Sequence, residues 1–299
     1  MSADLRTKRR LVRRLTAMLF AASLGAVACG AAHPVGSAPA ADSPFPALDS
    51  ASAAAICRRT VVAAGDMNGL APTQATGELA QAQHPDVVAA LGDEQYETGA
   101  LADFRSKYDH TGWGRLKPRT RPVPGNHEYL TPGAAGYFAY FGHPPRYYAY
   151  DLGCGWRGYA LNSEIGIAGQ ASWLRRDLAA HPGATVLAYW HRPRYSSGTK
   201  HGPDPAVQPF WDALAGRRGI VLNGHEHNYE RFAARGTLRE FVVGTGGSST
   251  YPFAPQPAAG SVKRIAHTPG VLVLTLADTG GYSWAFHTTA RAVLDSGRG

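Results

Sequence analysis

Five short polar clusters hold the side chains that could do chemistry: Gly65-Asp66, Gly92-Asp93 with Tyr96, Gly125-Asn126-His127-Glu128, His191, and Gly224-His225-Glu226-His227. Together they offer carboxylate, phenolate, amide oxygen and imidazole, and no thiolate. That inventory suits borderline-hard cations rather than soft metals. A carboxylate with ligands on both sides can bridge two ions. Two ions about 3.5–4 Å apart can clamp a phosphate and supply a hydroxide at moderate pH. Each cluster alone says little, because Gly-Asp is an ordinary turn and His-x-His an ordinary pair on one side of a strand. Asn-His inside a glycine turn is more specific, having no obvious packing purpose.

Each cluster follows an apolar run. Residues 60–64 lead into Gly65, 86–91 into Gly92, 121–124 into Gly125, 184–190 into His191 and 219–223 into Gly224. Such continuously apolar runs suit strands covered on both faces. Helical stripes lie between some of them: Ala171, Leu174 and Leu178, then Val207, Trp211 and Leu214. Further strands are expected at 240–243, 270–276 and 282–287, the last two as a hairpin turning at 278–281. Strands alternating with helices, followed by a meander, argue for an α/β layered domain. In open α/β sheets, sites gather at the carboxyl ends of strands, where all five clusters lie.

In order and spacing the clusters resemble the five-block pattern of the purple acid phosphatases, within the calcineurin-like metallophosphoesterase superfamily. Asn228-Tyr229-Glu230-Arg231 extends the last block in the same way, and the resemblance covers residues 58–290. It is closest to compact bacterial secreted members. It implies an α/β fold, a layered metallophosphoesterase sandwich of two mixed β-sheets flanked by helices. It also implies two metal ions, the first held by Asp66, Tyr96 and His227, the second by Asn126, His191 and His225, with Asp93 bridging. A Tyr96 phenolate favours Fe(III) in the first position, with Fe(II), Zn or Mn in the second. Most of the wider superfamily carries a His two residues after the first Asp. Here Asn68 stands there, where the purple enzymes usually have Gly.

His127 is no ligand in that family; it resembles the residue that contacts phosphate and protonates the leaving group. Glu128 is expected to orient its imidazole. His201 sits where the family carries a further substrate-facing histidine. His84, His110, His143, His181 and His267 fit no cluster and read as structural or surface residues. The reaction implied is phosphomonoester hydrolysis by attack of a metal-bound hydroxide. Phosphodiester cleavage on the same site stays open, because Trp113, Tyr147, Tyr148 and Tyr195 offer aromatic surface for a base or a lipid headgroup. The reading from another class is a non-catalytic phosphate-binding envelope lipoprotein. A degenerate member would normally have lost a ligand, and all seven are present.

The chain has 299 residues and a formal net charge of +8. Six cations against Asp4 in residues 1–28 carry +5 of that, leaving only +3 for the rest. The basic balance therefore gives little reason to expect nucleic acid as a partner, and no specific protein partner is read. A small phosphate ester is the expected substrate. Residues 6–14 form a basic n-region and 15–27 an apolar stretch. Ala26-Val27-Ala28-Cys29 reads either as a cleavage site or as a degenerate lipobox with a lipidated, membrane-attached Cys29. Arg9-Arg10 and Arg13-Arg14 leave general and twin-arginine export both open. The expected organisation is an export signal peptide at 1–28, a flexible Ala/Pro/Ser linker at 29–54, the catalytic domain at 55–290 and a tail at 291–299. The product would be secreted or an outer-surface lipoprotein. There Cys57 and Cys154 could pair in one disulfide or stand as two isolated core thiols.

Overall fold

The computed structural model describes residues 57–278 and 280–299. The expected export signal, Cys29 and the linker lie outside the described residues. Among the described residues the strands are β1 Arg58–Ala64, β2 Val87–Ala90, β3 Thr120–Pro122, β4 Tyr148–Gly153, β5 Trp156–Ala160, β6 Thr185–Tyr189, β7 Gly219–Asn223, β8 Tyr229–Phe232, β9 Leu238–Val243, β10 Ser261–Ile265, β11 Gly270–Ala277, β12 Tyr282–Thr288 and β13 Val293–Arg298. The α-helices are α1 Ala71–Ala82, α2 Leu101–Ser106, α3 Gly112–Arg115, α4 Ala135–Tyr140, α5 Ile167–Ala180 and α6 Gln208–Leu214.

The strands form two mixed sheets, one in the order β13-β12-β11-β1-β2-β3, the other β10-β8-β9-β7-β6-β5-β4. This is the expected sandwich. In the first sheet β1, β2 and β3 are parallel. In the second, β5, β6, β7 and β9 are parallel. The inner faces meet in one core containing Val61, Ala63, Leu272 and Leu274 from the first sheet and Leu187, Tyr189, Ile220 and Leu222 from the second. On the outer side of the second sheet, Leu174 and Leu178 of α5 and Phe210 and Trp211 of α6 pack with Val186, Ala188 and Val221. Successive residues of β6 and β7 thus serve two separate cores, which explains their unbroken apolar runs. Each fully buried Val, Leu or Phe contributes about 1.5–3 kcal/mol.

Cys57, just before β1, and Cys154, in the β4–β5 turn, form a disulfide with a Cα separation of 5.4 Å. The bond ties one sheet to the other across 97 residues of sequence. In the chain-entropy account a loop of that size contributes about 4–5 kcal/mol.

One feature differs from expectation. The tail at 291–299 is not outside the domain, since β13 pairs antiparallel with β12. Its inward residue is a charge. Asp295 accepts hydrogen bonds from Tyr229 (2.7 Å), Arg231 (2.7 and 3.0 Å) and Trp284 Nε1 (3.2 Å). The aromatic residues considered as loop surface for a base or a lipid headgroup are packing residues, the commoner role of tyrosines in such loops. Trp113 and Tyr148 are buried in the core, and Tyr195 packs edge-on against Trp211.

Candidate metal centre

The carboxyl ends of β1, β2, β3, β6 and β7 converge, and the five clusters meet there. The local backbone is unusual. Asp66, Asp93 and His225 all hold left-handed conformations, with φ of 64°, 51° and 71°. Non-glycine residues adopt these sparingly, and such strain concentrates at functional sites. The neighbouring glycines have a steric reason. A Cβ on Gly92 would stand 2.6 Å from His191 Nδ1, and one on Gly125 2.2 Å from Asp93 Oδ1. These glycines therefore clear room for candidate ligands that come from neighbouring turns.

Around Tyr96 Oη lie Asp66 Oδ1 at 3.1 Å, Asp93 Oδ2 at 3.0 Å and His227 Nε2 at 2.9 Å. Asp66 Oδ1 is also 3.2 Å from His227 Nε2. A second group adjoins the first. His191 Nε2 lies 3.3 Å from Asp93 Oδ2, 3.2 Å from Asn126 Oδ1 and 3.1 Å from His225 Nδ1. Asp93 Oδ2 belongs to both groups. All seven residues named from the sequence are thus brought together, and Asp93, His191 and His225 alone form a buried cluster able to hold an ion.

The residues fit a pair of cations. Carboxylate, phenolate, imidazole and amide oxygen donors gather 2.9–3.3 Å apart, a set suited to borderline-hard cations. One phenolic proton cannot serve two carboxylates and an imidazole at once. Burial, then Asp66 and Asp93, push the Tyr96 hydroxyl well above its ordinary range, so a phenolate here requires a cation beside it. Burial would raise Asp93, but His191 and His127 outweigh it and hold its carboxyl below the usual range. Burial disfavours a charged His191, yet Asp93 pushes it up to about 10. The field that holds a proton there is the field a metal ion would neutralise.

Outer contacts aim the imidazoles. His191 Nδ1 faces the Leu91 carbonyl at 2.8 Å, and His227 Nδ1 bonds to the Ser249 carbonyl, which turns both Nε2 atoms inward. Asn68 points away from the centre; its Oδ1 accepts from Leu70 N at 2.9 Å and Thr73 Oγ1 at 3.0 Å. Tyr96 Oη, not Asn68, reaches Asp66 and His227.

His127 is partly exposed at the mouth, with Nε2 3.9 Å from Asp93 Oδ2. Its Nδ1 faces the Glu97 carbonyl at 2.5 Å, and its backbone N donates to Asp93 Oδ1 at 2.9 Å. The expectation that Glu128 orients this imidazole is corrected. Buried Glu128 instead accepts the backbone N–H groups of Asp93 (2.9 Å), Gln95 (3.2 Å) and Gly125 (2.8 Å). It fixes the two turns, and burial followed by the Asp93 charge pushes its carboxyl up to about 8. Its short distance in sequence from His127 suggested a contact that the turn geometry does not make.

His201 lies over the centre, its ring stacked on His225 at 4.1 Å. Three neighbours were not foreseen. Arg192 contacts His225 Nε2 at 3.2 Å and is held by Glu164 at 2.8 and 3.0 Å. Tyr251 stacks on His227 at 4.2 Å. Glu226 anchors the His201 loop. Arg192 and Glu226 carried a signal, each standing next to a candidate ligand; Tyr251 reaches the site from a distant segment. Of the unassigned histidines, His181 bonds within α5's end to Asp177, and His267 contacts Thr250.

A family model described as calcineurin-like phosphoesterase matches residues 60–229, more than half of the chain. Comparison with curated proteins gave no match. Among solved structures, the purple acid phosphatase PPD1 from yellow lupin (Lupinus luteus) seeds superposes with a TM-score of 0.68 at 18% identity, over 86% of this chain and 55% of its own. The chain thus spans about half the length of that protein. GAP50, the anchor in the inner membrane complex of Plasmodium, gives 0.68 at 13% identity over 81% and 88%. A dimetal phosphatase from Danio rerio gives 0.57 at 12% identity over 80% and 98%. At these identities the likeness is one of fold.

Proposed function

This chain belongs to the calcineurin-like phosphoesterase family, and we propose that it is a metal-dependent phosphoesterase that hydrolyses phosphomonoesters at the centre built on Asp93. The observation that carries the reading is the shared Asp93 Oδ2, 3.0 Å from Tyr96 Oη and 3.3 Å from His191 Nε2. It joins two sets of donors into one paired site. Asp66, Tyr96 and His227 would hold the first ion, and Asn126, His191 and His225 the second. The Tyr96 phenolate favours Fe(III) in the first position, with Fe(II), Zn or Mn in the second. When bound, the pair supplies Lewis acidity to the phosphoryl oxygens and lowers the pKa of a water.

The chain's own groups do the rest. His127 Nε2, aimed inward by the Glu97 carbonyl, delivers a proton to the departing alkoxide. His201 and the Glu164-held Arg192 meet the phosphoryl group from the opposite side. The gathering of imidazole and guanidinium groups favours the dianion of a monoester over the single charge of a diester. The aromatic surface that would favour a diester is largely packed into the core. We place the protein outside the cytoplasm, secreted or held by a lipidated Cys29. The basic and apolar leader pattern and the Cys57–Cys154 disulfide support that. With p-nitrophenyl phosphate and its bis-ester as probes, kcat/KM should favour the monoester by at least about tenfold. The reverse ratio would make the enzyme a diesterase.

A further inference from the structure

The glutamate between the two terminal histidine ligands has no place in the paired site. Glu226 is fully buried, and its Oε1 accepts the backbone N–H of His201 at 2.7 Å and of Gly202 at 2.5 Å. Its carboxyl also packs on Gly198, where a Cβ would stand 2.2 Å away. Four residues on, buried Glu230 grips the start of the same loop, accepting Ser197 N at 2.7 Å and the Ser197 hydroxyl. Two carboxylates from the segment carrying His225 and His227 thus hold both ends of loop 197–202.

We propose that Glu226 is a positioning residue that registers His201 against the metal centre. The proposal rests on the substrate-facing role given to His201 above. His225 and His227 point into the centre, while the tight turns at 224–228 send the carboxylate between them to the loop instead. A carboxylate accepting two adjacent backbone N–H groups forms charge-assisted bonds in a buried setting, among the stronger anchors available. His201 itself is exposed, its ring resting on His225 at 4.1 Å, so its place depends on its backbone being held.

The adjoining Lys200 is exposed and gives a direct reading of the anchor, since trypsin cleaves just before the two anchored amides. In Glu226→Ala, cleavage after Lys200 should quicken about tenfold while the rest of the body resists. Glu226→Gln keeps an acceptor and should stay near the native rate. Gly198→Ala leaves position 226 intact but drives its carboxylate aside, so it should loosen the loop as Glu226→Ala does. Gly198 does not occupy a left-handed backbone conformation, so alanine adds only that contact.

Kinetically, Glu226→Ala and Gly198→Ala should raise KM for p-nitrophenyl phosphate as His201→Ala does, with metal content unchanged. In the double variant Glu226→Ala/His201→Ala the effects should not add, because both act through one group. Native trypsin rates in both Glu226→Ala and Gly198→Ala, or additive losses in the double variant, would overturn the proposal. A His201→Ala enzyme with native kinetics would overturn the substrate role of His201 and the kinetic half of this inference, while the trypsin arm reads the anchor separately.

Discussion

Asp93→Ala is expected to empty both metal positions and to lower kcat/KM by about four orders of magnitude or more. One oxygen, Oδ2, reaches both donor sets, 3.0 Å from Tyr96 Oη and 3.3 Å from His191 Nε2. The other, Oδ1, accepts the His127 backbone N–H at 2.9 Å and so fixes the turn bearing Asn126 and His127. Removing the carboxylate therefore deletes the bridge, frees a second turn and leaves two ligand trios with less charge to offset two cations. Asp93→Asn separates these effects. It preserves an acceptor for His127 N while removing the negative charge, so folding should survive and metal content should still fall. Elemental analysis of both variants, beside their thermal stability, checks this. Full metal occupancy with a modest fall in kcat would show that Asp93 does not bridge.

The second large effect belongs to His127. His127→Ala should leave metal content unchanged and cut kcat on an alkyl phosphate by about 10²–10³, within the range typical of one proton-transfer group. The side chain lies beside the presumed ligands rather than among them; Nε2 is 3.9 Å from Asp93 Oδ2 and its ring packs on Tyr96 at 4.1 Å between centroids. Its place at the mouth suits a proton donor to a departing alcohol. The loss should therefore be large for an alkyl phosphate and small for p-nitrophenyl phosphate, whose leaving group needs little protonation. Equal losses on the two substrates, or loss of metal, would contradict the role.

What was legible in the sequence follows a physical pattern. Each ligand sits where an apolar strand stops, because parallel strands place their carboxyl ends on one rim and the turns there need glycine to clear the neighbouring side chains. Each requirement leaves a local mark. Asp66, Asp93, Asn126 and the His225/His227 pair carry both marks, and His191 carries the first. What was missed depends on contacts between remote segments. Glu164 and Arg192 are 28 residues apart, and Glu226 reaches a loop 24 and 25 residues earlier. Glu128 is adjacent to His127 in sequence but not in contact with its imidazole, because its carboxylate turns back to three backbone amides.

The fold shows the same division. The strands leading to the site were marked by continuous apolar runs, and α5 by its apolar period. Helix α1 gave no such sign because its buried face is Thr73, Thr76, Gly77 and Ala80, small residues that let α3 approach at Gly112. The β4–β5 hairpin turns through Gly153, Cys154 and Gly155, all left-handed, and its aromatic residues read as loop surface. Strand β13 buries an aspartate where a pattern reader looks for a hydrophobe.

The paired centre itself is tested most directly by elemental analysis and a visible spectrum of one purified sample, repeated on Tyr96→Phe. The account predicts about two metals per chain, iron among them, with a broad visible absorption that disappears in Tyr96→Phe. No metal above background, even after reconstitution with iron, zinc and manganese, would contradict it.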